Sequence, residues 1–332
     1  MKGRRIMTAS SSSDNLFIGV DIGRASFDVA WHRGAGARYA NSSNAIAMFV
    51  GKLKAGPVPT RIVIEPTGGY EKPLVKALRG ADLPVEIIHT SRFSAYRAMV
   101  GVKAKSDSSD ARLLAAYAAA SDEVRGRKPH HVVLPEDPIR EELAELASRR
   151  DQLKHMIHAE TCRLSTARNA ALRQAIIAHL DMLKAEDQHT HKAMLTLVRT
   201  RVDLKRAQGL LKTISGIGDK SALACIALVP ELGQIGNKAA AALVGVAPFT
   251  RTSGTLRAPA RIHGGRAAVR SILYMAAVSA SRHNAVLRPF YQRLLAQGKK
   301  AKVALIAVLR RLVVFANAVL RSQQPWKGAT LA

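Results

Sequence analysis

Four carboxylates stand out in a chain otherwise dominated by lysine and arginine. Asp107 and Asp110 lie three residues apart in KAKSDSSDARLL, a spacing that puts both on one face of a helix. Asp21 closes the apolar run LFIGVD, and Glu65 follows the β-branched run RIVI. Acids at strand ends and at the start of a helix can converge at the carboxyl edge of an α/β sheet, where ligands bind. An all-oxygen set suits magnesium, and two such ions can stabilise both the attacking and the leaving oxygen at a phosphate. The chemistry indicated is metal-assisted work on phosphodiesters. Each acid also has a plainer role: Asp107 as helix N-cap with Asp110 facing the positive end of the dipole, Asp21 as a turn former, Glu65 as an extended residue before Pro66. Asp28 and Glu71 are rival ligands. Spacing alone does not select the metal site.

A second constellation is FTRTSGTLRAPARIHGGRAAVR, residues 249–270, where Ser253, Thr250, Thr252 and Thr255 sit among arginines. A hydroxyl beside guanidinium groups can attack a phosphodiester whose charge the arginines neutralise. The alternative is a Ser-Gly turn in a loop that contacts nucleic acid, with Gly254 permitting close backbone approach. No histidine is adjacent, although His263 could reach the serine in space.

These residues need a scaffold. Residues 16–135 read as α/β: LFIGVDIG is a strand ending in a Gly23 turn, SFDVAWH alternates as a strand folded back on it, and RIVIEPTGGY and PVEIIHT are two further strands. Residues 136–207 change character. Glycine is absent over 138–206, and Leu143, Leu146, Leu153 and Ile157 recur at helical steps, predicting a long helix pair or coiled coil. Such an element either joins two chains or packs within one. Residues 208–325 read as a compact helical domain in which Gly216 and Gly218 separate two helices. That turn is like a helix-hairpin-helix and leaves backbone N–H groups, with Lys220, available to a phosphate. The apolar stretch near the end is broken by Arg310 and Arg311, which favours a buried helix over a membrane span. Residues 1–15 form a basic tail expected to be disordered and without a signal-peptide core, and 326–332 a short C-terminal tail.

The charge balance points the same way. Lys and Arg total 51 against 24 Asp and Glu, a formal net charge of +27. Such an excess opposes folding by self-repulsion unless a polyanion neutralises it, so nucleic acid is the leading partner. An anionic membrane surface is the other candidate, disfavoured because the sequence shows no lipidation motif and no clean span of about 18 apolar residues. Two distant cysteines, Cys162 and Cys225, exclude a disulfide scaffold and a thiolate zinc site and fit a reducing cytoplasm.

IGVDIGRASFDVA, VIEPTGGYEKPL and KSDSSDAR, followed by ISGIGDKSALACIA and LVGVAPFTRTSGTLRAPARIHGGRAAVRSILYMAA, resemble the DEDD-type insertion-sequence transposases, bridge-RNA-guided recombinases often called the IS-one-ten family. The resemblance spans about residues 16–320. It implies an RNase H-like (resolvase-like) N-terminal domain with a catalytic, magnesium- or manganese-binding tetrad on Asp21, Glu65, Asp107 and Asp110. It also implies a C-terminal transposase domain in which Ser253 forms a phosphoserine link to DNA. Phosphate contacts then fall on Lys103, Lys105, Lys220, Arg251, Arg257, Arg261, Arg266 and Arg270. The implied partners are donor and target DNA, a non-coding guide RNA and further copies of the chain, a dimer or tetramer, on the nucleoid of a prokaryotic cytoplasm. Two other readings remain: a metal-dependent junction nuclease that uses water, and a non-catalytic architectural protein.

Overall fold

The structure, a computed structural model, describes residues 16–102, 107–125, 137–253 and 256–328, and for 124–125, 250–253 and 256–260 only the backbone. The chain divides into two compact units near residue 131.

The first unit is a five-stranded mixed sheet in the order β3-β2-β1-β4-β5. Strands β1 (Phe17–Ile22) and β2 (Ser26–Trp31) form the expected antiparallel hairpin, and β4 (Arg61–Ile64) and β5 (Val85–Ile87) add on in parallel. The edge strand β3 (Gly36–Ala40) is absent from the sequence reading. Its GARYA has little β-branched character, and pairing with β2 rather than propensity holds it extended. Period-two alternation sends Ile18, Val20, Ile22, Phe27, Ile62 and Ile64 to one face, against α1 (Ser43–Ala55) and α2 (Lys72–Gly80). Phe17 and Val63 point to the other, against α3 (Thr90–Met99) and α4 (Asp107–Arg125).

Among its described residues, the second unit is helical apart from one hairpin. Helices α5 (Pro138–Thr166) and α6 (Ala170–Thr200) fill the predicted helix-pair segment, joined by a three-residue link. Asp137 caps α5 by accepting from the Ile139 and Arg140 amides. The pair is not free-standing: Leu143, Ala147, Met194 and Val198 enter the same core as α7 (Val202–Lys212), α8 (Asp219–Leu228), α9 (Asn237–Val244), α10 (Ala267–His283), α11 (Leu287–Ala296) and α12 (Ala301–Ser322). Reading 208–325 as wholly helical misses the hairpin of β6 (Pro248–Ser253) and β7 (Leu256–Ile262). Helix α12 is long and apolar enough to cross a membrane, yet Val308, Leu309, Leu312, Val313 and Phe315 are buried in the core.

Candidate active site

The acidic residues are gathered by register. Asp21 faces Asp28 across the β1–β2 hairpin, and Asp28 faces Arg38 on β3. On the other side Val20 pairs with Ile64, so the next residues, Asp21 and Glu65, run out side by side at the strand ends. Alternation puts this row on the Phe17–Val63 face, the one α4 covers.

Gly19 lets α4 come close enough to complete the site. A Cβ there would collide with the Ala111 carbonyl and the Ala115 amide and sit 2.7 Å from Leu114 Cβ. With no side chain in the way, α4 lies on β1 and its first turn, carrying Asp107 and Asp110, arrives over the carboxylate row. Asp21, Asp28, Glu65, Asp107 and Asp110 all line one cavity of about 340 Å³, together with residues that include Ile22, Gly23 and Pro66.

The acids differ in partners. Asp28, buried, holds Arg38 through both oxygens at 2.8–3.1 Å. The same guanidinium reaches Asp107 at 3.2 Å. Asp110 is 3% exposed and lies 2.7 Å from Arg97, whereas the Asp107 side chain is 67% exposed. Burial, then the fields of Asp110, Asp107, Glu65 and Asp28, push the Asp21 carboxyl from 3.8 up to about 6. The rival Glu71 is taken: its carboxylate accepts from the Thr67 and Gly69 amides at 3.0 Å and closes the loop after β4.

The donors fit a divalent cation in kind and charge: hard oxygens only, around an aspartate whose carboxylate lacks sufficient counter-charge. As placed, no three of the described acidic, histidine or cysteine side chains gather around a single ion position. The arginines explain this in part, because Arg38 and Arg97 draw Asp107 and Asp110 toward themselves.

Neither arginine, nor Gly19, belongs to the sequence-derived site. A glycine inside an apolar strand is a legible sign of close backbone approach. Arg38 and Arg97 carry no such sign, since only the fold brings them to the acids.

The remaining candidates other than Lys103 and Lys105 lie in the second unit. Ser253 ends β6 and pairs with Leu256 at the start of β7. Arg251 and Arg257 pair with Ala258 and Thr252 on the same ladder. His263 stacks on Phe249 with ring centroids 4.1 Å apart, at the other end of the hairpin from Ser253. Arg261 is exposed. Arg266 is held by Glu231 at 2.5–2.6 Å and by the Leu228 carbonyl, and Arg270 donates to the Gly264 carbonyl at 2.6 Å. Both thus have internal partners. Gly216 and Gly218 join α7 to α8 as expected, with Lys220 exposed in the first turn of α8. Gly216 adopts φ +107°, and a Cβ there would come within 2.6 Å of Ala280 Cβ on α10. Lys103 and Lys105 lie outside the described residues.

A mixed sheet with an acid-lined cavity at its strand ends, joined to a strongly basic helical unit, defines a class of protein that acts on nucleic acid. Two family models narrow it: a DEDD transposase model of the IS110 type matches residues 18–177, and one described as the transposase IS116/IS110/IS902 family matches 208–292. The chain belongs to the IS110 family of transposases. It is 26% identical over 324 residues to the pilin gene-inverting protein of Moraxella bovis, an alignment covering 93% of this chain and 97% of that protein. The Moraxella lacunata protein of the same name is 25% identical with the same coverage.

Proposed function

We propose that this transposase cuts and rejoins DNA strands with an RNase H-like acidic site, in which Asp21, Glu65, Asp107 and Asp110 hold magnesium or manganese, and with Ser253 of the second unit as the nucleophile. The observation that carries the reading is the carboxylate row meeting the first turn of α4, with Asp21 held near 6. A bound ion there supplies charge stabilisation at the scissile phosphate. The chain's residues do the rest. Asp28 and Arg38 brace the sheet side of the cavity, Arg97 steadies buried Asp110, and Gly19 keeps α4 in place.

The serine step is a transesterification. The Ser253 oxygen bonds to phosphorus, the bond to one strand oxygen breaks, and that oxygen leaves with a proton. The strand stays joined to the protein until a second strand hydroxyl displaces the serine. Relatives named for inverting a pilin gene support strand exchange rather than simple cutting. Guidance by a non-coding RNA, assembly into a dimer or tetramer and cooperation between the acids and Ser253 rest on family likeness. The long α5–α6 pair is the element suited to assembly.

The test is to incubate the protein with the ends of its own element, target DNA and flanking RNA in magnesium, and to look for a serine-linked adduct. Asp21→Asn and Ser253→Ala are both expected to abolish strand exchange. Cleavage that survives Ser253→Ala but not Asp21→Asn would instead establish water as the nucleophile, and full activity in both would leave a binding role only.

A further inference from the structure

From Leu232 to Ala332 the sequence contains no aspartate or glutamate but 16 lysines and arginines. Some of this charge is answered inside the fold. Arg266 has Glu231, Arg270 has the Gly264 carbonyl, and Arg321 has the Gly233 and Ile235 carbonyls.

The α11–α12 hairpin is different. Arg293 and Arg311 share the ring of Phe290, with guanidinium carbons 5.4 Å and 3.7 Å from its centroid. Among the described residues, neither makes an ion pair with a carboxylate. Both are exposed, as are Arg310 beside them and Lys299 and Lys300 in the connection between the helices. Partial burial, and after it the neighbouring Arg293 charge, push Arg311 below the ordinary arginine range. Stacking on a half-buried phenylalanine restricts both side chains and leaves planar forks able to grip phosphate oxygens in pairs.

We infer that the α11–α12 face docks the sugar–phosphate backbone of duplex DNA, with Arg293 and Arg311 as a paired phosphate clamp. The inference rests on DNA being the substrate of this protein. An exposed, extended basic face with no acid in its own third of the chain complements a long polyanion rather than a small phosphate. DNA is the polyanion that a transposase must hold.

The experiment measures binding of the full chain to a duplex of random sequence as a function of salt. Each phosphate contact contributes about 0.9 to the slope of log K against log salt, so Arg293→Gln with Arg311→Gln is expected to lower that slope by about 1.8. An unchanged slope in a double variant that melts like the wild type overturns the clamp. So does a slope that falls for a structured RNA and not for the duplex. Should the double variant not fold, arginine-directed modification of the wild type decides. Duplex DNA is expected to protect Arg293 and Arg311 from phenylglyoxal, and equal modification with and without DNA overturns the inference. A wild-type protein that binds no DNA at all would overturn the substrate reading instead.

Discussion

At neutral pH the Asp21 carboxylate shares its cavity with four others. Because it titrates near 6 in the fold and near 3.8 outside it, the folded chain holds the extra proton between those values. Stability therefore falls as pH rises from about 4 to about 6 and levels off above. Asp21→Asn removes this penalty: in EDTA the variant should melt above the wild type at about pH 7.5, with the gap closing toward about pH 4. A gap that is the same at both values would contradict the account. The two arginines separate in the same way. Arg97→Gln strands buried Asp110 and is expected to cost about 3–5 kcal/mol in urea unfolding. Replacing Arg38 by Gln is expected to cost less, because water reaches its 59% exposed side chain and screens the pair with Asp28. Equal losses would show that burial does not set the difference.

At the scale of elements, the site depends on α4 lying against β1. Gly19→Val drives a side chain into the α4 backbone, where no rotamer relieves the clash. The expected loss is about 3 kcal/mol or more, at the upper end of overpacking costs, together with loss of strand exchange. A well-folded, active Gly19→Val protein would mean that α4 need not sit there for function. The strands that carry Asp21 and Glu65 were legible because β-branched runs and alternation mark them directly. Strand β3 was not legible, since its residues are extended only by pairing with β2, and the β6–β7 hairpin hid in a stretch with no apolar alternation.

At the scale of the whole molecule, the net charge of +27 must be offset by what the protein binds. DNA affinity is expected to fall steeply with salt, and magnesium to raise the melting temperature of the wild type but not of Asp21→Asn. Magnesium at about 100 times its Kd is worth about 2.7 kcal/mol. A melting temperature indifferent to magnesium in the wild type would remove the cation from the proposal.

The sequence by itself determined the strand ends on which Asp21 and Glu65 stand, the helical start at Asp107 and Asp110, and the polyanion partner. Residue types, periodicity and summed charge are local or additive properties, readable along the chain. Only the tertiary structure decided that the acids line one cavity, that Arg38 and Arg97 partner them, and that Glu71 is a loop tie. Those outcomes depend on cross-strand register and on a backbone approach made possible by Gly19, which bring together residues as far apart as 21 and 110. The same holds for Arg266 and Arg270, basic residues that suggest phosphate contacts until the fold supplies them with Glu231 and a backbone carbonyl.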